Sequence, residues 1–391
     1  MINKTEKIIY FDNASTSHPK PLCVINSMYK YFVETGSSPG RSGHTLSRKA
    51  DILLDETRSL MCQIFGIDTK YKNHIIFTYN ATYALNMVIK GYLKKDDHAI
   101  ISSFEHNSVI RPIQSLADKK IISFDVWNSD KDGLFEIKNL ELLIKKNTKI
   151  IILSHASNVL GILSPIEKLI EFAHSKNIKV LIDATQVAGI IPLEYGKLNV
   201  DFACFTGHKG LMGPSGIGGF FVKNPDCLDT IIEGGSGTNS HSFYQPIQMP
   251  EKFESGTINY LGIAGLNQSL KFLISESVQK IYLKEGKLTE YFINKLKLIK
   301  EVSILGSQNL ETKIPIISFK IKNLQPNELS QILDNTYNIM TRCGLHCASL
   351  AHKAVETYPN GAVRVSFGYF TTFDEINYFL SSLNKIINLY V

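Results

Sequence analysis

The chain lacks any run approaching the roughly 18 consecutive apolar residues that a membrane-crossing helix needs, so a helical membrane protein is not expected. It also lacks internal repeats, heptad arrays and low-complexity linkers, which excludes solenoids, coiled coils and tethered modules. Cysteine is sparse, with six residues dispersed over 391, and this does not read as a disulfide framework. The segment Met1 to Tyr10 is polar and basic, without an apolar core or a cleavage site, so it does not read as a signal peptide. Together these absences point to a reducing, cytoplasmic location.

What is present is ordinary in bulk. Hydrophobic residues at 44% and charged residues at 20% fit a folded globular chain, and 391 residues exceed what one core usually holds. The net charge of +6 raises the question of nucleic acid. The lysines are scattered, however, and pairs such as Lys145-Lys146 sit among Ile, Leu and Asn, as on a solvated surface. No nucleic-acid partner is expected.

Between about residues 75 and 225, short β-branched runs alternate with longer helix-like stretches. The runs are Ile75 to Thr78, Ala99 to Ser102, Ile121 to Phe124, Ile150 to Leu153, Val180 to Asp183, Phe202 to Phe205 and Gly218 to Val222. Several are apolar throughout, the pattern of strands covered on both faces by helices. The fold class is therefore α/β, with a mostly parallel seven-stranded sheet in a large domain over 15–258. A smaller α+β domain is expected from 1–14 and 259–391. It would contain helices over 261–275 and 278–300, a strand over 316–321, a helix near 328–334 and a last helix over 373–390.

In such sheets ligands collect beyond the carboxyl ends of the strands. Asp183 ends one expected strand, and Lys209 follows the next, 209 − 183 = 26 residues later, in a segment rich in glycine that includes His208. Either residue alone reads equally well as a helix cap or a surface lysine. The pair, at one sheet edge, matches what pyridoxal 5'-phosphate requires: a lysine to carry it and an acid beside its pyridine nitrogen, so that the ring acts as an electron sink.

The segments Asp183-Ala-Thr-Gln186 and Thr206-Gly-His-Lys209 resemble those of the class V aminotransferases of PLP fold type I, especially the cysteine desulfurases. The resemblance runs from Phe11-Asp-Asn-Ala-Ser15 to Arg364-Val-Ser366. It implies roles for further residues. Ala81 and Thr82, at a helix start, would hold the phosphate with Thr206 and His208, although Asn80-Ala81 replaces the family's usual Gly-Thr. His106 would stack on the pyridine ring and shuttle protons, Gln186 would hydrogen-bond the ring phenolate oxygen, Asn158 would lie near that oxygen and the substrate carboxylate, and Arg342 would also bind substrate. Arg364 would grip the substrate carboxylate through a two-pronged ion pair. Thr257, in Glu254-Ser-Gly-Thr257, would reach the phosphate of a neighbouring subunit, implying a homodimer with shared sites.

The segment Thr341-Arg-Cys-Gly-Leu-His-Cys-Ala348 is similar to the nucleophile loop of group II desulfurases, with Cys347 in the nucleophile's place. A thiol attacks as thiolate, and His346 and Arg342 are candidates for the positive charge that favours it. The resemblance implies conversion of L-cysteine to L-alanine, with sulfur held as a persulfide on Cys347 and passed to an acceptor protein, as in iron–sulfur cluster assembly. Selenocysteine lyase, another class V enzyme with an idle Cys347, and a sulfur-transfer scaffold without turnover stay open. Asp183, Lys209, Arg364 and Cys347 together speak against the scaffold. A zinc site at Cys343, His346, Cys347 and His352 is disfavoured because adjacent His-Cys ligands strain a tetrahedron; no metal is expected. Cys343 stands where the family commonly has threonine, and nothing in the sequence assigns it a role.

Overall fold

The computed structural model describes residues 8–37 and 44–390; most of the expected leaderless start, residues 1–7, lies outside them. The expected runs form a seven-stranded sheet. After β1 (Ile9–Tyr10), its strands are β2 (Ile75–Thr78), β3 (Asp97–Ser102), β4 (Ile122–Trp127), β5 (Thr148–Ser154), β6 (Lys179–Asp183), β7 (Phe202–Thr206) and β8 (Gly218–Val222). Their order is β2-β8-β7-β6-β5-β3-β4, and only β8 runs against its neighbours.

The unbroken apolar runs follow from burial on both faces. Ile151, Leu153, Val180, Ile182, Ala203 and Phe205 join one core, while Ile150, Ile152, Leu181, Phe202 and Cys204 join the other. The alternation has period two, as strand geometry requires. At their carboxyl ends the apolar runs give way to Thr78, Ser102, Ser154, Asp183 and Thr206. These polar groups share one sheet edge, where the topology leaves room for a ligand.

A second, antiparallel sheet has the order β12-β13-β10-β9, from β9 (Val302–Ile304), β10 (Ile316–Ile321), β12 (Arg342–Gly344) and β13 (Ala362–Ser366). Beside it, β1 pairs in parallel with β11 (Ile339–Met340), so the chain's start is stitched to its C-terminal part. Phe11, Phe292, Phe319, Phe367 and Phe379 fill the core of this unit. Burying such rings provides most of its cohesion, at about 25 cal/mol per Å² of apolar surface.

Helices Tyr260–Glu276, Val278–Leu296, Pro326–Tyr337 and Phe373–Tyr390 occur close to the expected places. The first of these lies beyond residue 258, yet Ile263, Leu266, Leu270 and Leu273 pack into the core of the large sheet. Its partners are two helices that the sequence pattern did not announce, Leu22–Glu34 and Thr45–Phe65. Leu22–Glu34 escaped notice because its apolar residues face outward: Val24 is buried, whereas Leu22, Tyr29 and Phe32 are exposed.

Candidate active site

Beyond the carboxyl edge of the large sheet lies a cavity of about 250 Å³. Its walls bring together Ala81, Thr82, His106, Asn158, Asp183, Gln186, Thr206, His208, Lys209, Arg342, Cys347 and Arg364. Of the site residues read from the sequence, only Thr257 stays away. It is exposed, in a segment tied down by Glu254, which accepts from the Phe77 N–H at 2.7 Å and pairs with buried Arg58 at 2.6 Å.

Lys209 sits in the turn between β7 and β8. Hydrogen bonds from Gly207 N to Ile217 O and from Gly213 N to Gly207 O, both 2.8 Å, close this turn. The Lys209 side chain opens onto the cavity, but the protein otherwise encloses it, and burial pushes its ammonium down to about 8. Asp183 partly opposes that shift, while Arg364 and Arg342 add to it. A lysine so placed is available as a neutral amine near neutral pH.

Asp183 is buried at the end of β6, and its Oδ1 accepts from Thr185 N at 2.9 Å. His106 caps the helix Asn107–Asp118: its Nδ1 lies 3.1 Å from Ser108 N and 2.8 Å from Ser108 Oγ. Because Nδ1 accepts from a backbone N–H, the ring proton belongs on Nε2. Burial, reinforced by Lys209, lowers the His106 pKa and keeps the ring neutral.

Asn80 caps the helix Ala81–Tyr92 by accepting from Tyr83 N at 3.0 Å, which leaves the Ala81 and Thr82 N–H groups at an open helix start. This end can lie against the sheet only because residue 218 is glycine. A Cβ there would meet the Asn80 backbone at 2.7 Å.

Arg364, on β13, is buried and crosses from the small sheet into the cavity. It donates from one amino group to Asn158 O at 2.9 Å and from the other to Asp12 Oδ1 and Ser15 Oγ, both at 2.8 Å. Arg342 also reaches Ser15 Oγ, at 3.1 Å. Asp12 and Ser15 are functional positions that sequence reasoning missed. They were noticed only as part of a family segment, and no local pattern announces a contact across 352 residues. Glu105 was missed too. It is buried beside His106, accepts from Ser102 Oγ at 2.5 Å and Ser154 N at 2.7 Å, and is pushed up to about 8, mainly by burial. It ties the ends of β3 and β5 together next to His106 in the chain.

Cys347 is exposed toward the cavity. The expectation that His346 supplies positive charge to it fails. Burial, with Arg364 and His352 close by, holds the His346 pKa well below the usual range, so the ring is neutral. Both its nitrogens are already engaged, Nδ1 by His352 Nε2 at 3.1 Å and Nε2 by Arg342 O at 3.3 Å. Arg342 is therefore the remaining source of charge from the loop itself. Among the described residues, no group of three or more His, Cys, Asp or Glu side chains converges to hold a metal.

The donor set can be tested against the cofactor that the sequence suggested. Thr206 Oγ1 and His208 Nδ1 are buried without a protein partner, and so is Thr185 Oγ1. Orphaned polar atoms of this kind carry a desolvation cost of about 1–3 kcal/mol each unless a ligand meets them. Beside an open helix start they suit a phosphate, and Asp183, His106 and Lys209 suit a protonated pyridine and its aldehyde. The residues fit pyridoxal phosphate.

The comparisons agree. The sequence profile of the family described as class V aminotransferases matches residues 9–379. A probable cysteine desulfurase of Pyrococcus abyssi is 32% identical, over 98% of this chain and 95% of its own. One from Borreliella burgdorferi is also 32% identical, over 97% and 92%. Among solved structures, a cysteine desulfurase from Thermococcus onnurineus superposes with a TM-score of 0.91 at 31% identity, covering 97% of this chain and 95% of that one. An Escherichia coli cysteine desulfurase, at 23% identity and a TM-score of 0.88 over 98% of this chain and 96% of its own, shares the fold. With a cavity of matching chemistry and similarity along nearly its whole length, this chain belongs to the class V aminotransferase family, among its cysteine desulfurases.

Proposed function

We propose that the chain is a PLP-dependent cysteine desulfurase of the group II type, converting L-cysteine to L-alanine and holding the sulfur as a persulfide on Cys347. The observation that carries this is the placement of an exposed thiol, Cys347, on the same cavity as Lys209, Asp183 and Arg364. When bound, pyridoxal phosphate supplies an electron sink for carbon–hydrogen and carbon–sulfur bond breaking. Thr206, His208, Ala81 and Thr82 would hold its phosphate, Asp183 its ring nitrogen and His106 its ring face, with Gln186 and Asn158 near the phenolate oxygen. Arg364 binds the substrate carboxylate, through the Nε–H that has no protein partner. Lys209 Nζ takes the Cα proton, which a neutral amine can do and an ammonium cannot. Cys347 Sγ, as thiolate, attacks the substrate sulfur; as the S–S bond forms the substrate's Cβ–S bond breaks, its electron pair stays with the carbon, and a proton delivered to Cβ completes alanine.

Several features support a homodimer that shares its sites. Thr257 is exposed and lies outside the lining of its own cavity, and Phe243, Tyr244 and Ile247, in the same region of the chain, are exposed large apolar side chains. We assign the enzyme to the cytoplasm, in keeping with its unpaired cysteines, and the persulfide sulfur to an acceptor protein such as one serving iron–sulfur cluster assembly. L-Selenocysteine is a second candidate substrate for the same groups. No helix among the described residues is long and apolar enough to cross a membrane.

The test is alanine formation from L-cysteine with a reductant, comparing the holoprotein with Cys347→Ala. Alanine from the wild type alone establishes a desulfurase acting through Cys347. Alanine from both removes the thiol from the chemistry and favours the selenocysteine reaction. Its absence from both, with cofactor bound and acceptor protein present, refutes the proposal.

A further inference from the structure

The backbone that presents Cys347 is strained. His346 and Cys347 have φ of +51° and +56°, two adjacent non-glycine residues in the left-handed region. Each costs about 1–2 kcal/mol relative to ordinary backbone, so surrounding contacts must hold them there. Two contacts act on main-chain carbonyls: Asn158 Nδ2 donates to His346 O at 2.7 Å, and Asn107 N donates to Cys347 O at 2.8 Å.

A third restraint runs through side chains that the proposed chemistry does not use. His346 Nε2 faces the carbonyl of Arg342, which only accepts, so this nitrogen carries the proton. Nδ1 of the neutral ring is then an acceptor, and the atom facing it, His352 Nε2 at 3.1 Å, must donate. His352 Nδ1 accepts in turn from Thr357 Oγ1 at 2.6 Å. The hydrogen bonds thus run one way, from Thr357 to His352 to His346 to Arg342 O. Every ring nitrogen in the chain has a partner. The ring centroids lie 5.3 Å apart with planes inclined by only 22°, as an N–H···N bond lying near both ring planes requires.

Two histidines at 0% and 5% exposure, among Ala348, Ala351 and Val355, are a poor choice if packing alone mattered. We infer that His352 is a positioning residue for Cys347: by donating to His346 Nδ1 it holds His346 in one tautomer and locks the left-handed His346–Cys347 backbone that aims the thiol into the cavity. This role rests on the desulfurase reading for its catalytic consequence, but not for its geometry.

The experiment compares wild-type holoprotein with His352→Gln and His352→Leu. A carboxamide has an acceptor and a donor in the same order as this tautomer and has no second tautomer; leucine has neither. Three readouts apply: amide hydrogen exchange at 342–348, kcat and KM for L-cysteine, and the cofactor's visible absorbance as a check on folding. We expect leucine to speed exchange in the loop and lower kcat roughly tenfold, the effect of one lost buried hydrogen bond, with KM within about twofold. Glutamine should restore both. Unchanged exchange in the leucine variant would overturn the inference. So would a glutamine variant as impaired as leucine, since that would mean the ring must move a proton rather than hold a position. Should the leucine variant not fold, nitrogen-15 shifts of the wild-type imidazoles decide. Both rings must be protonated at Nε2 and bare at Nδ1, and the opposite order at either ring refutes the chain. A wild type that makes no alanine would sink the desulfurase reading while leaving the exchange and tautomer results to judge His352.

Discussion

Asn158 ties two C-terminal parts of the site to the large sheet's edge: its Nδ2 donates to the carbonyl of His346 at 2.7 Å, and its own carbonyl accepts from Arg364 at 2.9 Å. The loop that carries the thiol and the arginine proposed to bind the substrate carboxylate therefore share one anchor. Removing the Asn158 side chain leaves a buried carbonyl unpaired, at about 1–3 kcal/mol. Asn158→Ala should lower alanine formation roughly tenfold or more and speed hydrogen exchange at 345–348. Mass-spectrometric exchange alongside the turnover assay checks both.

Arg364 offers a planar fork whose amino groups Asp12, Ser15 and Asn158 already orient. Lysine cannot reproduce that geometry. Arg364→Lys should raise KM for L-cysteine roughly 10- to 100-fold through loss of the charge-assisted hydrogen bond from Nε and of the fixed orientation behind it. Asp12→Ala should shift KM in the same direction, because it removes the acceptor that orients the guanidinium. Steady-state kinetics at constant ionic strength provide the comparison.

Lys209 makes a prediction about pH. Its pKa is lowered to about 8, so the neutral amine proposed to capture the cofactor is the minor form below that pH and the major form above it. Uptake of pyridoxal phosphate by cofactor-free protein should accelerate as pH rises through about 8 and then level off. Borohydride reduction of the loaded protein should leave the label on the peptide containing Lys209. A label on another lysine would refute the assignment.

Glu285 predicts a slope in stability. It is buried in the helix Val278–Leu296, neither carboxyl oxygen has a protein partner, and burial pushes it from 4.5 up to about 8. Between those values the folded chain keeps a proton that the unfolded chain releases, so stability is full below about 4.5 and falls as pH rises toward 8. Glu285→Gln lacks that proton. Its melting temperature should gain on the wild type as pH rises from 5 to 8.5, by the equivalent of roughly a few kcal/mol. Parallel thermal melts across that range would show it, and equal slopes would refute it.

The seven strands and the Asp183–Lys209 pair were legible because their causes are local. A strand buried on both faces must be apolar at every position, and a polar residue that ends such a run marks the sheet edge where a ligand can sit. The nucleophile loop was legible as a motif, but not its electrostatics. His346 looked like a charge donor, and its neutrality depends on burial beside Arg364 and on the ring of His352.

The sequence by itself determined the α/β class and the strand runs, and residue type and spacing singled out Lys209 and Asp183 as a candidate cofactor pair, while Cys347 was marked by family resemblance. Tertiary structure alone decided that Asp12 and Ser15 would hold Arg364, that Thr257 would lie outside the lining of its own cavity, and that His346 would be neutral. Those outcomes depend on which surfaces exclude water and which distant segments meet, and charge state and orientation follow from that enclosure.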